Sequence, residues 1–103
     1  MNTTPPIRIW IVRRGNGRAQ VTPSPVHFVP GESFRIRNLT SEDVAVVFPD
    51  GTIDLKDRTI PAGGTAPATV LAAAPRFFEY DVTLPRSGNY AEGGSKPGVI
   101  IDG

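Results

Sequence analysis

A single His, no Cys and ten carboxylates are the reactive groups that this 103-residue chain offers. His27 has the pKa range of a general base or a metal ligand. A zinc or copper site needs further imidazoles or thiolates, and the chain contains neither. His27 therefore reads as a strand residue facing away from Val26 and Phe28. Asp50, Asp54 and Asp57 gather around a turn without the spacing and closing Glu of a hard-cation loop, so they read as solvated. Ser24 and Ser33 lie near His27 only in sequence, and no Gly-x-Ser-x-Gly elbow is present. Gly15-Asn16-Gly17 and Glu92-Gly93-Gly94-Ser95-Lys96 lack the spacing of a phosphate loop, and neither leads into a helix. The residues point away from an enzyme and imply no cofactor and no metal.

Charge narrows the partners. Eleven Lys and Arg face ten Asp and Glu, leaving a formal net charge of +1. That balance predicts no nucleic acid and no anionic membrane as partner. Nine of the eleven cations are Arg, the residue suited to planar, bidentate contacts. Arg13, Arg14 and Arg18 surround one turn, and Arg35 and Arg37 share one face of a strand. They read as solvated faces, because aromatic residues are not interleaved among them as in single-strand binders. Trp10 falls on the face opposite Ile7, Ile9 and Ile11, where it covers either a second element or a partner. The polar, Pro-rich start leads into no secretory apolar stretch, and the absence of Cys suits a reducing compartment. The expected location is cytoplasmic.

The elements that position these residues are strands. Eleven Pro and eleven Gly leave little room for helices. Ile7 to Arg13 alternates and runs into Gly15-Asn16-Gly17, whose Asn-Gly pair suits a tight hairpin turn. Ala19 to Thr22 is a short return strand, and Val26 to Val29 is an apolar one. Ser33 to Asn38 points Phe34 and Ile36 inward and Arg35 and Arg37 outward. Val44 to Phe48 is almost wholly apolar and predicts a central strand covered on both sides. Thr65 to Leu71 is extended, and Phe78, Tyr80, Val82 and Leu84 form a second alternation. Pro85 to Pro97 is a long polar loop, and Gly98 to Asp102 a final strand. Seven or eight strands at roughly 8–12-residue spacing predict an all-β sandwich or small barrel, with residues 1–103 as one domain.

Several stretches carry a resemblance. Val29-Pro30-Gly31-Glu32-Ser33-Phe34-Arg35-Ile36-Arg37-Asn38 is a turn, a strand and a closing Asn. Ile60-Pro61-Ala62-Gly63-Gly64-Thr65 is a Gly turn. Phe78-Glu79-Tyr80-Asp81-Val82 is similar to a strand ending in Tyr-x-Cys, and a Gly-rich loop runs into Pro97-Gly98-Val99-Ile100-Ile101-Asp102. In order and spacing, residues 26–102 resemble the cupredoxins, the sandwiches best known as small blue copper proteins. The resemblance implies a Greek-key β-sandwich. It carries over no copper chemistry, because that family's ligands are two His, a Cys and commonly a Met. Val82 stands at the Tyr-x-Cys position, Glu42 and Asp43 where the first His would be, and the 85–97 loop holds neither His nor Met.

The expected function is that of a non-catalytic binding module on a copper-free cupredoxin-like scaffold, with a protein as partner. Two alternatives remain: an accessory carbohydrate- or peptide-binding domain of immunoglobulin-like type, and an electron-transfer accessory lacking its own metal. The expected interaction surface is the 85–97 loop, which combines Tyr90 with Arg86, Glu92 and Lys96. That mixture is typical of interface anchors and rims, and the resemblance implies a partner-facing end at the same loop.

Overall fold

The structure is a computed structural model that describes residues 4–13, 19–73, 75–85, 89–90 and 96–102. Gly15-Asn16-Gly17, Arg14, Arg18 and most of the 85–97 loop lie outside these residues. Among the described residues there are twelve short strands and no helix. They are β1 (Ile7–Arg13), β2 (Ala19–Thr22), β3 (Val26–Phe28), β4 (Ser33–Asn38), β5 (Val44–Val47) and β6 (Ile53–Leu55). After these come β7 (Thr59–Ile60), β8 (Thr65–Val70), β9 (Arg76–Glu79), β10 (Asp81–Leu84), β11 (Asn89–Tyr90) and β12 (Gly98–Ile101). The excess over the seven or eight expected comes largely from two- and three-residue strands, too short to show a period.

The strands form three ladders, in the orders β2-β1-β4-β8-β6, β11-β10-β5-β7 and β3-β12-β9. Most pairs are antiparallel, but β1 runs parallel to β4 and β3 parallel to β12. Inward residues of all three ladders join one hydrophobic core. Phe28 of β3 stacks on Phe34 of β4 with ring centroids 4.2 Å apart, and Phe48 meets Tyr80 at 4.6 Å. Each fully buried Phe or Ile contributes roughly 1.5–3 kcal/mol by leaving water. The arrangement is all-β and consistent with a sandwich.

Three turns share one design. The amides of Glu32, Thr52 and Gly64 donate to the carbonyls of Val29, Pro49 and Pro61, three residues earlier. The third residue of each turn is a Gly at φ 81°, 76° or 74°. A type II turn needs positive φ there, and only Gly adopts it without strain.

Two sequence expectations require correction. β5 is buried on one face only: Val44 and Val46 are core, Ala45 is half-buried and Val47 is exposed. An apolar run does not by itself distinguish a two-sided central strand from a one-sided one. The alternation Phe78, Tyr80, Val82, Leu84 points inward as expected, but it serves two ladders. Phe78 lies opposite Val99 of β12, whereas Val82 lies opposite Val46 of β5. Between them the Tyr80 amide leaves both ladders and donates to the Pro97 carbonyl at 3.0 Å.

Candidate interaction surfaces

The 85–97 loop is held at its ends. Thr83 and Leu84 of β10 pair antiparallel with Tyr90 and Asn89 of β11. At the far end the Pro97 carbonyl receives the Tyr80 amide, and Lys96 Nζ lies 3.0 Å from Asp81 Oδ1. Both partners of that ion pair are exposed, so it contributes less than about 1 kcal/mol. Of the expected loop residues, Lys96 is thus placed beside β10, and Tyr90 has its backbone opposite Thr83. Arg86, Glu92 and the side chain of Tyr90 lie outside the described residues.

His27 lies on the outer face of β3, as its alternation predicts, with Nδ1 3.1 Å from Asp102 Oδ2. Both side chains are exposed. The hydroxyls near His27 in sequence have other partners: Ser24 Oγ accepts the Gly98 amide at 3.1 Å, and Ser33 Oγ faces Thr69 Oγ1 at 3.5 Å. The chain therefore does not assemble His27, Ser24 and Ser33 into a nucleophilic triad. Asp50, Asp54 and Asp57 are all exposed. Asp50 and Asp54 border a shallow cleft of about 130 Å³ with Phe48, Leu55 and Arg58. Among the described residues no three His, Cys, Asp or Glu side chains come together to hold a metal ion. No helix among them is long and apolar enough to cross a membrane.

At the positions where the resemblance to cupredoxins implies copper ligands, this chain has other chemistry. Val82 is an apolar core residue, 2% exposed, which supplies no donor atom. The Glu42 carboxylate pairs with Arg13 at 2.7 Å, and its backbone carbonyl accepts from the Asn38 side chain. Asn38 organises this corner while itself fully buried. Its Nδ2 donates to the carbonyls of Glu42 (2.7 Å) and Ile60 (3.0 Å), and its Oδ1 accepts from the Thr40 amide (2.9 Å) and hydroxyl (2.7 Å). The residues present do not fit a blue-copper centre.

A second surface emerges that composition reads as dispersed charge. On the outer face of the five-stranded ladder, Trp10 of β1 lies in register with Thr22 of β2 and Arg37 of β4, and Arg37 with Thr65 of β8. Trp10, Arg35 and Arg37 are each half-buried. Arg8, at the register shift between Ile7 and Ile9, forms an ion pair with Glu32, donates to the His27 carbonyl at 2.8 Å and lies over the Phe28 ring. Arg35 Nε donates to the Pro5 carbonyl at 2.7 Å. The sequence supplies the alternation that puts Arg35 and Arg37 outward. The parallel β1–β4 pairing that brings Trp10 beside them has no local signal, because pairing partners far apart in sequence leave no period. No family model and no curated protein matches the chain.

Proposed function

We propose that this protein is a non-catalytic, protein-binding module on a copper-free Greek-key sandwich of cupredoxin type. The chain order of the ladders supports the fold: β1 parallel to β4, β3 parallel to β12, and a bend between β2 and β3 that sends the two strands into different ladders. The observation that carries the functional reading is the tethering of the 85–97 loop to β10 through β11, Pro97 and Lys96. Ordering a Gly-rich segment is entropically costly, and fixing its ends lowers the further cost of presenting it to a partner.

The test compares capture from native lysate by wild type, Tyr90→Ala and Arg86→Ala. The expected result is a specific protein partner retained by wild type and lost by the variants. Full retention by both variants removes the loop from the interface. Titration with Cu(II) checks the scaffold: thiolate-ligated copper is intensely coloured, and tight binding raises Tm by linkage. The expected outcome is neither colour nor stabilisation, and a stoichiometric blue complex overturns the copper-free reading.

A further inference from the structure

We propose that the outer face of the five-stranded ladder, centred on Trp10, Arg35 and Arg37, is a docking surface for an extended acidic segment of a partner protein. The inference rests on the reading of the chain as a protein-binding module, and it names a surface and a partner chemistry that this reading leaves open.

Charge complementarity argues for the occupant. The cations around this face differ in how they are satisfied. Arg8 is neutralised by Glu32, and Arg13 by Glu42. Arg35 donates only to a neutral backbone carbonyl, and it has no carboxylate partner among the described residues. The Arg37 side chain makes no hydrogen bond or ion pair among them, and its Nε is shielded from water without an acceptor. The acid carried by the strands of this ladder is Asp54 of β6, opposite Thr69 at the far edge. Two guanidinium groups thus share a half-buried face with no counter-charge among the described residues.

Spacing argues for the form of the occupant. Arg35 and Arg37 stand two residues apart on one strand face, a repeat of roughly 6.8 Å. An extended peptide presents every second side chain at that same repeat. Glu or Asp at alternate positions would meet the two forks in register, with the peptide backbone passing beside Trp10 and the intervening side chains facing away. Guanidinium–carboxylate contacts are bidentate and stronger than neutral hydrogen bonds. With a net charge of +1 the protein lacks the long-range field that gathers polyanions. Recognition here is local, which favours an acidic peptide over a nucleic acid.

Trp10 is the chain's single Trp, so its fluorescence reports on this face directly. The probe is a capped synthetic peptide alternating Glu with Thr, titrated beside its Gln-for-Glu counterpart and a single-stranded oligonucleotide at the same ionic strength. A saturable fluorescence change is expected with the Glu peptide only, weakening as salt rises. Arg37→Gln should weaken binding about tenfold, and Arg37→Lys by less, because it keeps the charge but loses the fork. The Arg37 side chain has no polar partner among the described residues, so these variants should keep the wild-type Tm. Arg76→Gln, on β9 of another ladder, should bind like wild type. The proposal is overturned by the absence of a saturable change, by equal binding of the Gln peptide, by unchanged affinity in Arg37→Gln, or by tighter binding of the oligonucleotide. The surface and the parent reading fail separately. If a lysate partner is lost in the loop variants yet kept by Arg37→Gln, and the Glu peptide does not bind, the module reading stands and this surface falls.

Discussion

Asn38 and Tyr80 are both buried polar side chains, 0% and 2% exposed, but the core treats them in opposite ways. Asn38 exchanges four hydrogen bonds with the chain around it, and so fixes the path from β4 through Thr40 and Glu42 and ties it to Ile60 of β7. Tyr80 packs its ring on Phe48, yet its hydroxyl has no hydrogen-bond partner among the described residues. Burial pushes the Tyr80 pKa up, because the phenolate would lose its hydration without compensation. The difference teaches that polarity is used at Asn38 to specify a backbone path. At Tyr80 the fold uses the aromatic ring, and the hydroxyl costs stability.

The largest effect that could break this contrast is Asn38→Ala. It takes the side-chain partner from the Thr40 amide and the Ile60 carbonyl at a buried corner, and leaves the Glu42 carbonyl with the Thr40 hydroxyl alone. The expected loss is about 3 kcal/mol, given roughly 1–3 kcal/mol for each stranded group and incomplete additivity. Thermal unfolding should show Tm lower by more than about 10 °C, at the roughly 4–8 °C per kcal/mol of a domain this size. Asn38→Asp sharpens the reading, because it keeps the acceptor for Thr40 and removes the donors to Glu42 and Ile60. A Tm within about 2 °C of wild type for Asn38→Ala would end the argument.

Tyr80→Phe should have the opposite sign, raising stability by about 0.5–1 kcal/mol through removal of a stranded hydroxyl. Its pH dependence follows from the raised pKa. Below the ordinary tyrosine value of about 10, Tyr80 is neutral in both folded and unfolded chains. Above that value only the unfolded chain ionises, so stability falls as pH rises until the folded-state pKa is reached. Chemical denaturation should therefore show a shallower alkaline loss for Tyr80→Phe than for wild type. Equal slopes, or a clear destabilisation by the substitution, would mean that the hydroxyl has a partner after all.

The smallest effect is expected where polar contacts stay wet. His27→Ala and Lys96→Ala each remove one partner of an exposed polar contact, His27 with Asp102 or Lys96 with Asp81. Both should change stability by less than about 0.5 kcal/mol, measured at neutral pH in moderate salt. A loss above 1.5 kcal/mol in either would show that burial alone does not separate the costly polar groups from the cheap ones.

Local patterns were legible in the residues, and long-range ones were not. The bounds of β1, β2 and β4 follow from alternation between turn residues, and the positive-φ turns at Gly31, Gly51 and Gly63 follow from Pro and Gly. His27 faces outward for the same reason. The one-sided burial of β5 was hidden because Val and Ala are tolerated at half-exposed positions on a sheet face. The partition of Phe78–Leu84 between two ladders was hidden because inward and outward faces continue unchanged through Tyr80. The Arg35–Arg37 face was visible as an alternation, but its meaning depends on Trp10 and Glu32. Those residues arrive through tertiary pairing rather than sequence proximity. Asn38 was legible as the end of a strand, whereas its four bonds depend on where Ile60 and Glu42 finish.

β12 lies between β3 and β9, so residue 99 is paired with residue 26 on one side and residue 78 on the other. Ribosomes deliver those partners long before they deliver the strand that joins them. Until residues 98–101 emerge, β3 and β9 present bare edges, and the apolar faces of Val26 and Phe78 lack their neighbour. Closing so long a stretch of chain is entropically slow, which places assembly toward the millisecond-to-second end of small-domain folding. A nascent chain halted before Gly98 would hold an open slot of one strand's width. An extended segment of another molecule could fill it, so until β12 is made this fold stays open to pairing with its neighbours.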